Sequence, residues 1–169
     1  MATPVKYQDC PKELQDFLFY MLTIRGRSER TVEAYHIDLR TFLRYLRSIK
    51  DEDYQDVPIE EIAIDDLPFE VIKSVTLSDV YSYLTYSTTE RDNASTTRSR
   101  KVSSIRSFFR YLSTTANLLD ENPVENLETP TVKKSLPKYL TLEESLELMA
   151  SVDTAFPKRD YCIITLFLN

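Results

Sequence analysis

The amino-acid sequence predicts an all-α protein, and three observations carry that prediction. Only one glycine occurs among the 169 residues, which argues against a sheet with tight hairpins, because such turns need backbone at positive φ. The apolar residues of the long segments recur at helical spacing. Residues that cap helices stand where these segments begin. The length and an apolar share of 42% predict one domain, or one domain with part of another.

The first two predicted helices meet at the glycine. The first begins near Pro11, which suits an opening turn, and stops at Gly26, which suits the position just after a helix. Ser28 can cap the second helix, which runs to about Lys50. The predicted apolar faces are Leu14, Phe17, Leu18, Met21 and Leu22 in the first helix and Val32, Tyr35, Leu39, Phe42, Leu46 and Ile49 in the second.

An acidic insert, residues 51–70, follows the second helix. It holds nine acidic residues and no Lys or Arg, so the rest of the chain has 18 acidic residues against 21 cations, although the whole chain has a net charge of -6. Apolar residues between the acids argue against a disordered tail. The acids lack the spacing and central glycine of a calcium loop, so we expect an insert that faces solvent or a partner. Thr76 to Asp79 then resembles a capping box opening a third helix through about Ser87.

The fourth predicted helix, from about Thr96 to about Asn117, is basic. Five cations and no acidic residue lie between Thr96 and Leu112. Its apolar residues fall at helical spacing, at Val102, Ile105, Phe108, Phe109 and Leu112. Such a helix can pack on a domain and contact phosphate groups at the same time. A solvated helix face without a ligand is the alternative, which the residues alone leave open.

The composition changes after a short helical turn at residues 122–127. Residues 128–139 contain prolines, lysines and little apolar surface, which predicts a linker. Thr141 to Glu144 looks like a second capping box, and the chain closes on a strongly apolar segment. We therefore expect residues 1–127 to form one domain, and residues 140–169 to be the truncated beginning of another.

Four motifs follow one another in an order typical of a known family. Residues 28–42 fit the pattern Ser-x-x-Thr-x-x-x-Tyr-x-x-Asp-Leu-x-x-Phe. Residues 100–112 form the second motif, Asn122-Pro123 the third and residues 136–144 the fourth. In this order they resemble the N-terminal part of a tyrosine recombinase (phage integrase family) of the Xer-like type. The resemblance covers nearly the whole chain, although the acidic insert is longer than in compact Xer proteins.

The resemblance implies a SAM-like bundle of four to five helices, the core-binding domain of the family. This domain would clamp duplex DNA during site-specific strand exchange, and other recombinase protomers would share the DNA in a tetrameric synapse. The family's catalytic domain carries an Arg, a Lys, a His-x-x-Arg and a nucleophilic Tyr. Here the one histidine, His36, is followed three residues later by Leu39, so we expect no catalytic residue and no enzyme activity in this fragment. Tyr139 and Tyr161 are interpreted as packing or linker residues.

Candidate DNA contacts follow from the resemblance, which lays the second and fourth helices across the major groove. Most would meet phosphate groups. They are Arg30, Thr31, Thr96, Arg98, Arg100, Lys101, Ser103, Arg106, Lys133, Lys134 and Lys138. The alternative is a helical protein–protein interaction module without DNA binding, which the net charge favours.

We predict no cofactor, no metal site and no membrane partner. The residues near His36 in the sequence do not form a recognisable metal-ligand spacing of Cys, His and carboxylates. No apolar run approaches the ~20 residues of a membrane span, and the first residues lack the apolar core of a signal peptide. Cys10 and Cys162 do not indicate a disulfide framework, so a reduced cytoplasmic compartment is expected.

Overall fold

The structure is a computed structural model that describes residues 7–89, 95–129 and 139–168, with the Ser95 side chain left out. The regular secondary structure of these residues is helical. No strand occurs among the described residues, which confirms the predicted all-α class. The chain divides into two compact units, Met1–Val132 and Lys133–Asn169, and the division falls inside the predicted linker. The α-helices are α1 Lys12–Thr23, α2 Glu29–Lys50, α3 Phe69–Lys73, α4 Leu77–Thr89, α5 Ser95–Thr114, α6 Leu142–Ala150 and α7 Pro157–Leu168.

The junction of α1 and α2 forms as the sequence predicts. Gly26 has φ +58°, a left-handed conformation that favours glycine, and the Arg27 amide donates to the Met21 carbonyl at 3.0 Å. Ser28 then caps α2 by accepting a hydrogen bond from the Thr31 amide at 3.3 Å. These local bonds end one helix and begin the next within a few residues.

Helix α2 is the centre of the first unit and packs against α1, α3, α4 and α5. Its Phe42 ring lies 5.1 Å from the Tyr83 ring of α4 and 6.4 Å from the Phe109 ring of α5, measured between centroids. Phe17 of α1 meets Phe108 of α5 at 5.4 Å in an edge-to-face arrangement. Aromatic side chains therefore connect α1, α2, α4 and α5 within a core whose other residues are mostly Leu, Ile and Val.

The acidic insert is part of this core as well as of the surface. Ile62, Ile64 and Leu67 are buried, whereas nearly all of its carboxylates are exposed. Arg47 of α2 holds the segment from inside: it bonds the Asp66 carboxylate and donates to the Ala63 carbonyl at 2.8 Å. The acidic residues of the insert are therefore exposed to solvent as expected, while its apolar residues anchor it to α2.

A residue with left-handed backbone follows the end of α5, as one follows the end of α1. Asn117 has φ 51°, and the Leu118 amide donates to the Leu112 carbonyl at 2.9 Å. The chain then turns back so that Leu119, Val124 and Leu127 are buried in the first unit.

The second unit consists of α6 packed on α7. The predicted capping box is present: the Glu144 amide donates to Thr141 Oγ1 at 3.2 Å, and the Thr141 amide donates to Glu144 Oε2 at 2.7 Å. Neither helix has a buried residue, and Leu166 and Phe167 are largely exposed. None of the described helices combines the length and apolar character that crossing a bilayer requires.

Candidate nucleic-acid interface

Helix α5 has two chemically different sides. Its apolar residues Val102, Ile105, Phe108, Phe109 and Leu112 are all completely buried. The opposite side exposes Thr96, Ser103, Arg106, Arg110 and Thr114, whose intervals of seven, three, four and four residues keep them on one face of the helix. No Asp or Glu occurs anywhere in the helix. One side therefore holds the helix on the bundle, and the other presents cations and hydroxyls.

Two hydroxyls of this exposed side, those of Ser103 and Thr114, already donate hydrogen bonds to the helix backbone. Ser103 Oγ donates to the Ser99 carbonyl at 2.9 Å, and Thr114 Oγ1 donates to the Arg110 carbonyl at 2.6 Å. Arg106 makes a long contact of 3.4 Å from Nη1 to Thr129 Oγ1. The guanidinium groups of Arg106 and Arg110 are therefore the main donors that this side can offer to an anion.

Two grooves flank α5. The larger, of about 1140 Å³, lies between α5 and residues 120–126. Arg106 and Arg110 line it from α5, and Asp120, Glu121 and Glu125 line it from the other side. The smaller, of about 290 Å³, lies between α5, the end of α1 and the first turns of α2. Arg25, Arg27 and Arg110 line the smaller groove, and no carboxylate does. Anions are therefore favoured on the α1 side of α5 and opposed in the depth of the larger groove.

Arg100 and Lys101 point to a different partner, the buried carboxylate of Asp38 on α2. Arg100 Nη1 donates to Asp38 Oδ2 at 2.6 Å and to the Ala34 carbonyl at 3.0 Å. Lys101 is 5% exposed, lies with Nζ 3.6 Å from Asp38 Oδ1, and donates to the Tyr83 hydroxyl at 2.9 Å. Burial raises the pKa of Asp38, although both cations act to lower it. These two cations thus join α5 to α2.

The other candidate contacts fall in three places. Arg30 is exposed in the first turn of α2, and Thr31 Oγ1 lies 2.9 Å from Ser28 Oγ in the helix cap. Thr96, Ser103 and Arg106 share the exposed side of α5, and Arg98 is half-buried near the start of that helix. The linker lysines lie outside the described residues; they are Lys133, Lys134 and Lys138.

Comparison with known proteins identifies the family. Tyrosine recombinase XerC of Caldanaerobacter subterraneus subsp. tengcongensis is 45% identical over 94% of this chain and 45% of its own length. Tyrosine recombinase XerD of Halalkalibacterium halodurans is 32% identical over 82% of this chain and 40% of its own. A tyrosine recombinase of Pseudothermotoga lettingae is 31% identical over 90% of this chain and 46% of its own. The chain belongs to the Xer-like tyrosine recombinases. It spans a little under half the length of these curated relatives. No family model and no solved structure matches it.

The first sequence motif, residues 28–42, has a structural explanation. Ser28 caps α2, Asp38 holds two cations of α5, and Leu39 and Phe42 are completely buried. The spacing of the motif is therefore the spacing of a helix that must be capped, packed and joined to α5.

Three arginines of this surface were missing from the sequence-based list of contacts. Arg110 stands four residues after Arg106, a helical spacing that could have revealed it. Arg25 and Arg27 flank Gly26, and nothing local indicates that they lie beside α5. Whether any of these residues contacts DNA stays a prediction.

Proposed function

We propose that this chain is the DNA-binding portion of a site-specific tyrosine recombinase, and that its first unit binds duplex DNA as the family's core-binding domain. The observation that carries the proposal is the exposed side of α5, which presents Arg106 and Arg110 with no carboxylate on the helix. Family membership supports the same conclusion, because the curated relatives are recombinases.

The binding surface consists, in this proposal, of the exposed side of α5 and the smaller groove lined by Arg25, Arg27 and Arg110. Guanidinium groups bind phosphate oxygens through two parallel hydrogen bonds and remain charged at any physiological pH. The acidic wall formed by Asp120, Glu121 and Glu125 would repel phosphates. The duplex therefore lies over the exposed side of α5 and the smaller groove, where it meets Arg106 and Arg110, rather than against the acidic wall of the larger groove.

Arg100 and Lys101 serve this function indirectly. Their bonds to Asp38 orient α5 on α2, so substituting them would change folding as well as DNA affinity. Lys50 also has a structural role, because its Nζ lies 3.1 Å from Asp79 Oδ2. A decisive comparison uses cations without such roles.

The test compares two charge-matched double variants by titration with a duplex of arbitrary sequence at several salt concentrations. Arg106→Ala with Arg110→Ala should weaken binding strongly. It should also make the slope of log affinity against log salt concentration shallower by about two, because each lost phosphate contact changes that slope by about one. The exposed Lys12 and Lys73 supply the control pair, and changing both to Ala should leave the slope nearly unchanged. Equal losses in the two pairs would contradict the proposed surface, and salt-independent or absent binding would favour a protein-interaction module.

The strand-cleaving chemistry does not reside in these 169 residues, in this proposal. The family resemblance assigns that chemistry to a His-x-x-Arg and a nucleophilic Tyr, and His36 is buried among core residues of the first unit. The strand-exchange reaction and the tetrameric synapse belong to the proposed full recombinase.

A further inference from the structure

Three side chains that commonly bind metals come together in the first unit, apart from the DNA-binding surface. Asp9 and Cys10 precede α1, and His36 lies in the middle of α2. Their donor atoms all lie within 4.8 Å of one another. Asp9 Oδ1 is 3.6 Å from His36 Nε2 and 3.6 Å from Cys10 Sγ.

The imidazole of His36 is buried without a hydrogen bond. It is 5% exposed, and within the described structure neither ring nitrogen has a hydrogen-bond partner. The nearest carboxylate oxygens, on Asp9 and Glu33, lie 3.6 and 3.7 Å away, beyond hydrogen-bond length. The Tyr7 ring closes one side at 4.9 Å between ring centroids. Buried polar atoms normally have partners, so this ring calls for a ligand between it and its neighbours.

We propose that Asp9, Cys10 and His36 bind a zinc ion, with the fourth position open to water. Carboxylate, thiolate and imidazole are the zinc ligands of proteins, at about 2.0–2.3 Å from the metal. Donors at those bond lengths around a tetrahedral ion lie roughly 3.3–3.7 Å apart. Two of the three separations here match that spacing, with Asp9 Oδ1 as the shared atom.

The surrounding side chains orient two of the ligands. Arg40 Nη1 donates to Asp9 Oδ2 at 2.9 Å, which leaves Oδ1 toward the histidine and the thiol. Glu33 Oε1 stands 3.7 Å from His36 Nδ1, on the side of the ring away from Asp9 Oδ1, as in carboxylate–histidine–zinc arrangements. Zinc-bound imidazole would donate its remaining N–H toward Glu33.

The charge around the cluster favours a cation only moderately. The Asp9 and Glu33 carboxylates attract it, whereas Arg40 and Arg44 act on Cys10 with positive charge. Burial, followed by the charge of Asp9, raises the pKa of Cys10 to about 12, so the free thiol holds its proton. Zinc binding therefore releases that proton to solvent and leaves a thiolate on the metal. Bound zinc would tie the segment before α1 to the centre of α2 and so stabilise the first unit.

The test titrates the metal-free 169-residue chain with Co²⁺, which takes tetrahedral zinc sites and reports its ligands by absorption. We expect a thiolate-to-cobalt charge-transfer band with visible tetrahedral bands, both removed by Zn²⁺. Cys10→Ala should abolish the charge-transfer band, whereas Cys162→Ala, which removes the exposed thiol of the second unit, should leave it intact. Zn²⁺ should also raise the thermal unfolding midpoint of the wild-type chain and not that of the Cys10→Ala chain.

Two further variants keep the proposal testable if the Cys10 substitution disturbs folding. Asp9 is half-exposed, so Asp9→Asn should fold and lose the metal, and Glu33→Gln should weaken binding about 10- to 100-fold. Circular dichroism checks that each variant is folded. The proposal is overturned if folded wild-type chain gives no charge-transfer band, if the band survives in Cys10→Ala, or if Asp9→Asn binds as tightly as wild type.

Discussion

Asp38 shows how much one buried carboxylate organises in this protein. It is 1% exposed and lies between the two cations Arg100 and Lys101, which reach it from α5. Removing charges from water is costly, and attraction between them compensates only while the group is complete. The three side chains therefore specify how α5 sits on α2 without adding a large net stability of their own.

Changing Lys101 to Met should lower the free energy of unfolding by about 1.5–3 kcal/mol, because Asp38 loses one of its two cations while Arg100 remains bonded to it. Denaturant unfolding followed by circular dichroism measures the loss. Arg110→Met, at an exposed position of the same helix, should change stability by no more than about 0.5 kcal/mol. Equal unfolding midpoints for the two variants would show that Lys101 is not a structural cation.

At the scale of elements, the start of α4 is fastened to the end of α2. The Thr76 amide donates to Asp79 Oδ2 at 2.9 Å, and the Asp79 amide donates to Thr76 Oγ1 at 3.3 Å. Lys50 Nζ, at the end of α2, lies 3.1 Å from the same Asp79 oxygen. Burial acts to raise the pKa of Asp79, but hydrogen bonds from Thr76 and Lys50 together hold that pKa below 3.8.

Asp79→Ala should therefore lower the free energy of unfolding by about 1–2 kcal/mol at neutral pH, as the loss of a helix cap does. The pKa of Asp79 is lowered on folding. The stability difference between wild type and the Asp79→Ala chain is therefore full above pH 3.8 and shrinks as the pH falls below it. Unfolding by urea at a series of pH values measures this difference. Asp56→Ala, which removes an exposed acid from the acidic insert, is the control, and a pH-independent difference would contradict the linkage.

At the scale of the whole molecule, the two units differ in how they bury apolar surface. The first has a continuous core with buried residues from Tyr7 to Leu127. The second has no buried residue among its described positions, and its exposed apolar side chains include Leu142, Leu166 and Phe167. We therefore expect the first unit to fold by itself.

A chain of residues 1–129 should unfold cooperatively, with a midpoint close to that of the 169-residue chain, because it keeps every buried residue of the core. A chain of residues 1–115 is the matched comparison. It lacks Leu119, Val124 and Leu127, and each buried side chain contributes about 1.5–3 kcal/mol, so its midpoint should fall clearly. If the chain of residues 1–129 is also unfolded, the first unit is not an independent domain.

Local features were accurately predicted, because they depend on residues only a few positions apart. Gly26, Ser28 and the capping boxes at Thr76 and Thr141 act within one helical turn. The apolar face of α5 also followed from spacing alone. The positive charge of α5 was equally visible, but the sequence could not say which of its cations face solvent.

The sequence by itself determined the helical class, the capped helix starts, the inward faces and the resemblance to recombinases, since all of these are carried by local pattern. Only the tertiary structure decided that Lys101 is buried while Arg106 is exposed. The carboxylate that pairs with Arg100 and Lys101 belongs to Asp38 on another helix, 62 positions before Arg100. The tertiary structure likewise brought Asp9 and Cys10 to His36, and Arg25 and Arg27 to α5. Burial and charge pairing are properties of neighbours in space, and packing around α2 chooses those neighbours.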